Sequence, residues 1–138
     1  MYDEALVAPM RKELTQIGVQ ELRTAQEVDD VIQNTKGTVL VIVNSVCGCA
    51  AGQARPAINL ALSNETLPNK VVTVFAGQDK EATAQARSYF VGYPASSPSM
   101  ALLKDGELVH ILERRHIENN GAEAIANHLI SVFEENCK

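Results

Sequence analysis

The chain has 138 residues, 46% of them hydrophobic, with a net charge of -5 and a pI near 5.1. That length supports one well-buried core and is short for two, so a single domain over residues 1–138 is expected, while the acidic balance argues against nucleic acid or an anionic membrane as partner. The N-terminus lacks the basic flank and apolar stretch of a signal peptide, and no segment approaches the run of about 20 apolar residues that spans a bilayer, so a soluble, cytoplasmic protein is expected.

Along the chain, Pro9 suits a first helical turn, Met10, Leu14 and Ile17 recur at helical spacing, and Gly18 ends the segment, which reads as a short amphipathic helix. Thr24-Ala-Gln-Glu27 fits a capping box, and Val28, Val31 and Ile32 form one apolar face before Lys36-Gly37. The β-branched run from Thr38 to Val43 has the character of a strand buried on both faces of a parallel sheet, extending to about residue 45. A helix is predicted from about residue 48 to 63, kinked near Pro56, which lacks the N–H for one internal hydrogen bond.

Val71 to Phe75 is a second core strand, and Asp79 is placed to cap a helix in which Ala82, Ala86 and Tyr89 or Phe90 share a side. After the loop Tyr93–Pro98, two apolar runs, Met100–Leu103 and Leu108–Leu112, flank Asp105-Gly106, a hairpin signal. Asn120-Gly-Ala-Glu123 is expected to cap a last helix with the stripe Ile125, Ala126, Leu129, Ile130 and Phe133. The order is helix, helix, strand, helix, strand, helix, strand, strand, helix. A crossover helix makes the first two long strands parallel, and the hairpin makes the last two antiparallel. The expected fold is therefore α/β and thioredoxin-like: a central mixed sheet with flanking helices and an N-terminal helical extension. Ligands gather at the carboxyl ends of such strands, which unites the Cys47-Gly48-Cys49 turn with the Ala76–Asp79 turn.

Cys47 and Cys49 stand where the first long strand turns into a helix. Unpaired N–H groups and the positive helix end stabilise a thiolate there, lowering a thiol pKa from about 8.5 to roughly 3.5–7.5. The plain alternative is that both are small buried hydrophobes, but packing does not call for Cys-Gly-Cys at a strand exit. Three cysteines in an intracellular chain make no structural disulfide framework, so reactivity or metal binding is the natural use. A disulfide between Cys47 and Cys49 would close a very small, strained and hence readily reduced ring, so the pair is expected to cycle. Cys47 is the candidate nucleophile, as the first cysteine of such a turn, and Cys49 the resolving or modulating thiol. In a thioredoxin-like context the Ser97–Pro98 bond is expected to be cis, leaving backbone free to pair with substrate; Gly48, Ser97 and Pro98 are the candidate substrate-binding residues.

Cys137 falls on the buried arc of the last helix and either extends it or frays, with a third redox role as the alternative. His110, His116 and His128 show no metal-type spacing with the cysteines, so no metal site is expected, and His128 reads as solvated. Arg114-Arg115 reads as a solvated strand end, whereas Arg55 and Lys80 are the cations expected to attract an anionic thiol.

The strings Asn44-Ser-Val-Cys-Gly-Cys-Ala-Ala-Gly52 with Ala54-Arg-Pro56, Val74-Phe-Ala-Gly-Gln-Asp-Lys-Glu-Ala82 and Ser96-Ser-Pro-Ser-Met-Ala-Leu-Leu103 closely resemble the bacilliredoxin family, over essentially the whole chain. The resemblance implies a thioredoxin-like fold and a cytosolic thiol-disulfide oxidoreductase of bacillithiol-using Gram-positive bacteria. Its partners would be S-bacillithiolated proteins, with bacillithiol as thiol co-substrate and no bound cofactor. Cys47 would attack the bacillithiol sulfur and release the protein thiol. General disulfide reductase or isomerase activity is an alternative; a non-enzymatic thiol or metal carrier is another.

Overall fold

The computed structural model describes residues 1–138. Its elements run α1 (Glu4–Thr15), β1 (Gln20–Glu21), α2 (Ala25–Asn34), β2 (Thr38–Asn44), α3 (Arg55–Ala61), β3 (Lys70–Phe75), α4 (Lys80–Arg87), β4 (Ser99–Lys104), β5 (Glu107–Leu112), α5 (Arg114–Glu118) and α6 (Ala122–Asn136). The five strands form one sheet in the order β1-β3-β2-β4-β5. β2 pairs parallel with β3 and antiparallel with β4, and β4 pairs antiparallel with β5.

Every residue of the central strand is buried, which explains its uninterrupted apolar run. Side chains alternate across it. Leu40 and Ile42 face a layer built from Leu14 of α1, Ala57 and Ile58 of α3, and Leu129 and Phe133 of α6. Val39, Val41 and Val43 face the opposite layer, with Val28 and Ile32 of α2, Ala82 and Ala86 of α4, and Phe90. The start of β2 is set by Asn69, whose Oδ1 accepts from the Thr38 N–H (2.9 Å) and hydroxyl (3.2 Å). Gly37, at φ 108°, has no room for a Cβ against that same oxygen.

Three local expectations change. Helix α1 begins earlier than Pro9 because Asp3 caps it, accepting from the Ala5 N–H at 3.0 Å, so the proline lies inside the helix and offers no N–H to the preceding turn. Asp79 holds the cap position of α4 without a side-chain cap bond. Its carboxylate instead grips buried Arg11, at 2.6 and 3.1 Å, and Arg11 also bonds Glu4 and lies over Phe75. Likewise Asn120 does not cap α6: its amide donates to the His116 carbonyl of α5 at 2.7 Å, and Gly121 takes the α6 cap position. By contrast, the Thr24/Glu27 capping box forms with both of its bonds.

Phe133 is fully buried where α6 meets the sheet layer. Phe133→Ala should therefore cost about 3–5 kcal/mol in urea unfolding, the usual range for emptying a large aromatic site.

Candidate active site

Strand β2 ends at Asn44, and the helical backbone resumes at Gly48 and runs to Ala61. The Cys47 carbonyl accepts from the N–H groups of Ala50 (3.1 Å) and Ala51 (3.2 Å), which makes Cys47 the cap residue of this helix. Residues Ala50–Ala54 form a π-helical turn, closed by a bond from the Arg55 N–H to the Ala50 carbonyl. The widening falls immediately before Pro56, so the backbone change expected at that proline takes this form.

Both sulfurs are half-buried, so exposure does not rank them. Hydrogen bonding does. The two Sγ atoms are 2.7 Å apart, and the Ser45 hydroxyl donates to Cys47 Sγ at 3.3 Å. Burial pushes the Cys47 thiol up, but bonds from Cys49 and Ser45 and from the Ala50 and Cys49 N–H groups outweigh it, leaving Cys47 below the ordinary thiol value. For Cys49, burial, the bond to Cys47 and the charge of Cys47 all act upward, and Arg114 opposes them. The two thiols are thus driven apart, Cys47 toward easier ionisation and Cys49 toward keeping its proton.

The strand exit is braced from beneath. Arg55 is 3% exposed, and its Nη1 donates to Asn44 Oδ1 (3.0 Å) and to the Ser45 carbonyl (2.9 Å). Asn44 Oδ1 in turn accepts from the Ser45 N–H at 2.9 Å. Arg55 is therefore a buried brace and not an exposed attractant for substrate.

Arg114, whose charge opposes the rise at Cys49, lies in the helix α5 that the sequence reading missed, not on a solvated strand end. Five residues are too few for a clear apolar period, and tertiary contacts fix the helix instead. Gln53, from the π turn, donates through Nε2 to the carbonyls of Ile117 (3.0 Å), Glu118 (3.1 Å) and Asn120 (2.7 Å). Ser45 was also missed as a site residue, although a hydroxyl two residues before a cysteine at a strand exit is a readable signal.

The Ser97–Pro98 bond is cis, as expected. Ser99 pairs with Val43, so this loop lies one register step from the end of β2. Arg114 Nη1 donates to the Ser97 carbonyl at 3.3 Å, and Arg87 donates to that of Ser96 at 3.2 Å. Gly48 is exposed beside the thiols. Cys137 is half-buried against the α6 layer. The histidines gather with each other around a hollow between β5, α5 and α6, and His128, though exposed, has its Nε2 2.9 Å from that of His110. No cluster of three or more His, Cys, Asp or Glu side chains is arranged to hold a metal ion.

Residues 2–137 match the model of a family described as disulphide isomerase. A bacilliredoxin of Koribacter versatilis is 53% identical over 137 residues, covering 99% of this chain and 94% of that protein. One from Geobacillus kaustophilus is 54% identical over the same shares. This chain belongs to the bacilliredoxin family. Among solved structures, thioredoxin of Malassezia sympodialis superposes with a TM-score of 0.60 at 14% identity, over 88% of this chain and 92% of that one. A mutant thioredoxin from Halobacterium salinarum gives 0.59 at 21% identity, over 88% and 93%. The fold is thioredoxin-like, and the chain, like its family, is a thiol-disulfide oxidoreductase. No helix is long and apolar enough to cross a membrane.

Because Cys47 is lowered and Cys49 raised, alkylation by iodoacetamide near pH 7 should modify Cys47 first, read by mass spectrometry of the peptides. Removing the hydroxyl donor in Ser45→Ala moves the Cys47 titration upward. The pH 7 alkylation rate then falls roughly fivefold, about the worth of one net hydrogen bond.

Proposed function

We propose that this protein removes bacillithiol from S-bacillithiolated proteins in the cytoplasm. The observation that carries the reading is the unequal thiol pair: two sulfurs 2.7 Å apart, with Cys47 held below the ordinary thiol value and Cys49 pushed above it. Family membership supplies the choice of bacillithiol.

Cys47 Sγ attacks the bacillithiol sulfur of the mixed disulfide. The new Cys47–bacillithiol bond forms as the old S–S bond breaks, and the protein leaves as a thiolate that takes up a proton. The adduct is then resolved in one of two ways: free bacillithiol attacks the bound bacillithiol sulfur, forming bacillithiol disulfide and freeing Cys47, or Cys49 attacks Cys47 and expels bacillithiol, leaving a Cys47–Cys49 disulfide that further bacillithiol must reduce. Gly48, exposed at the turn, and the Ser97–Pro98 segment form the surface against which substrate backbone lies. The Ser97 N–H finds no acceptor within the chain, which leaves it available to a bound segment. The partners are bacillithiolated proteins and bacillithiol itself, with no bound cofactor and no part for nucleic acid or membrane. The family description also favours a second reading, isomerisation of protein disulfides, which the same thiols would perform.

Exposure to oxidised bacillithiol followed by intact-mass and peptide analysis should place one bacillithiol on Cys47; an unmodified Cys47 would refute the assignment. Cys47→Ser should abolish release of bacillithiol from a modified protein. Cys49→Ser should retain the Cys47–bacillithiol adduct.

A further inference from the structure

Arg114 sits at the start of α5, against the loop that ends in Pro98. Its backbone N–H donates to Ser96 Oγ at 3.4 Å and its Nη1 to the Ser97 carbonyl at 3.3 Å. Nε is paired with Glu118 at 3.2 Å. A guanidinium carries five N–H donors. Two are thus occupied, and the three others, including both on Nη2, have no partner in the chain. The side chain is 47% exposed, so this free edge opens to solvent. Gln53 ties α5, the helix that carries Arg114, to the cysteine helix through three carbonyls. Its charge acts on both Cys49 and Cys47.

We propose that Arg114 is the binding residue for a carboxylate on the small-thiol half of the mixed disulfide. The inference rests on the exchange reading above and adds what chooses the sulfur. A mixed disulfide presents two sulfurs to Cys47, one on the protein and one on the small thiol. A carboxylate held on the free edge of Arg114 seats the small thiol over Cys47. Attack on that sulfur forms the Cys47–small thiol bond and expels the protein thiolate, which is the productive outcome. Bacillithiol is itself a carboxylate-bearing thiol. The other cations differ: Arg55 is buried and engaged with the strand exit and with Glu13, and Arg115 is paired with Glu113.

The test uses the full chain and one reporter peptide in disulfide linkage with either mercaptopropionate or mercaptopropanol, which differ in the carboxylate. The wild-type protein should show a KM about fivefold to tenfold lower for the carboxylate-bearing disulfide, the scale of a charge-assisted contact at an open site. Arg114→Gln should abolish this preference and Arg114→Lys restore part of it. The ratio between the two substrates cancels any effect of Arg114 on the ionisation of Cys47, which both share. A ratio unchanged in Arg114→Gln overturns the proposal while leaving exchange intact. A second measurement is independent of turnover: S-methylated mercaptopropionate should slow iodoacetamide modification of Cys47 in the wild type and not in Arg114→Gln. Arg114-dependent protection without turnover of either disulfide would uphold the anion site and overturn the exchange reading. Equal protection in both proteins would overturn the anion site.

Discussion

The buried Arg55 guanidinium is the interaction on which the site depends. It reaches back from the helix to the end of β2, fixing the Asn44 side chain and the Ser45 carbonyl. A buried cation without partners would be costly, so the strand exit and the helix must keep one relative placement. Glu13 of α1 completes the surroundings, with Oε1 3.1 Å from Nε. Asn44 and Ser45 are thereby held, and the Ser45 hydroxyl stays within reach of the Cys47 sulfur. Reactivity at the surface is set by a charge that never reaches it.

The difference between the two thiols arises over very short distances. Both have similar exposure, and both are penalised by burial. Cys47 stands at the helix cap, where the N–H groups of Cys49 and Ala50 face its sulfur. Cys49 lies inside the first turn, where burial and the neighbouring Cys47 raise it. Two residues of displacement along the chain therefore separate the lowered thiol from the raised one.

Much of the fold could be read locally. The Thr24/Glu27 box, the all-buried β2 run and the Asp105-Gly106 turn depend on neighbouring residues, and the structure has all three. What was not legible depends on distant partners. β1 is two residues long and exists because it pairs with β3. Asp79 looked like a cap because nothing nearby reveals Arg11, 68 residues away. At the site, the strand exit, the thiols and the cis proline were visible as a pattern. Arg114 was not, because its position depends on Gln53 gripping α5 across 64 to 67 residues of chain. A cation near the thiols was expected in Arg55 or Lys80 from their positions along the chain, but the packing buries Arg55 and brings Arg114 instead.

The π-helical turn between Cys49 and Arg55 has a consequence for how this chain can vary. It accommodates one residue more than a regular α-helix would over the same rise, and apart from Gln53 its residues are small: Ala50, Ala51, Gly52 and Ala54. Because the extra residue is absorbed within that turn, the helix beyond keeps the orientation that brings Arg55 back to the strand exit. Deleting one residue there would restore a regular turn and act chiefly on Gln53, which lies inside the turn and grips α5, while leaving the arginine brace in phase. The length of this segment therefore governs the tie to α5 more than the support beneath the thiols.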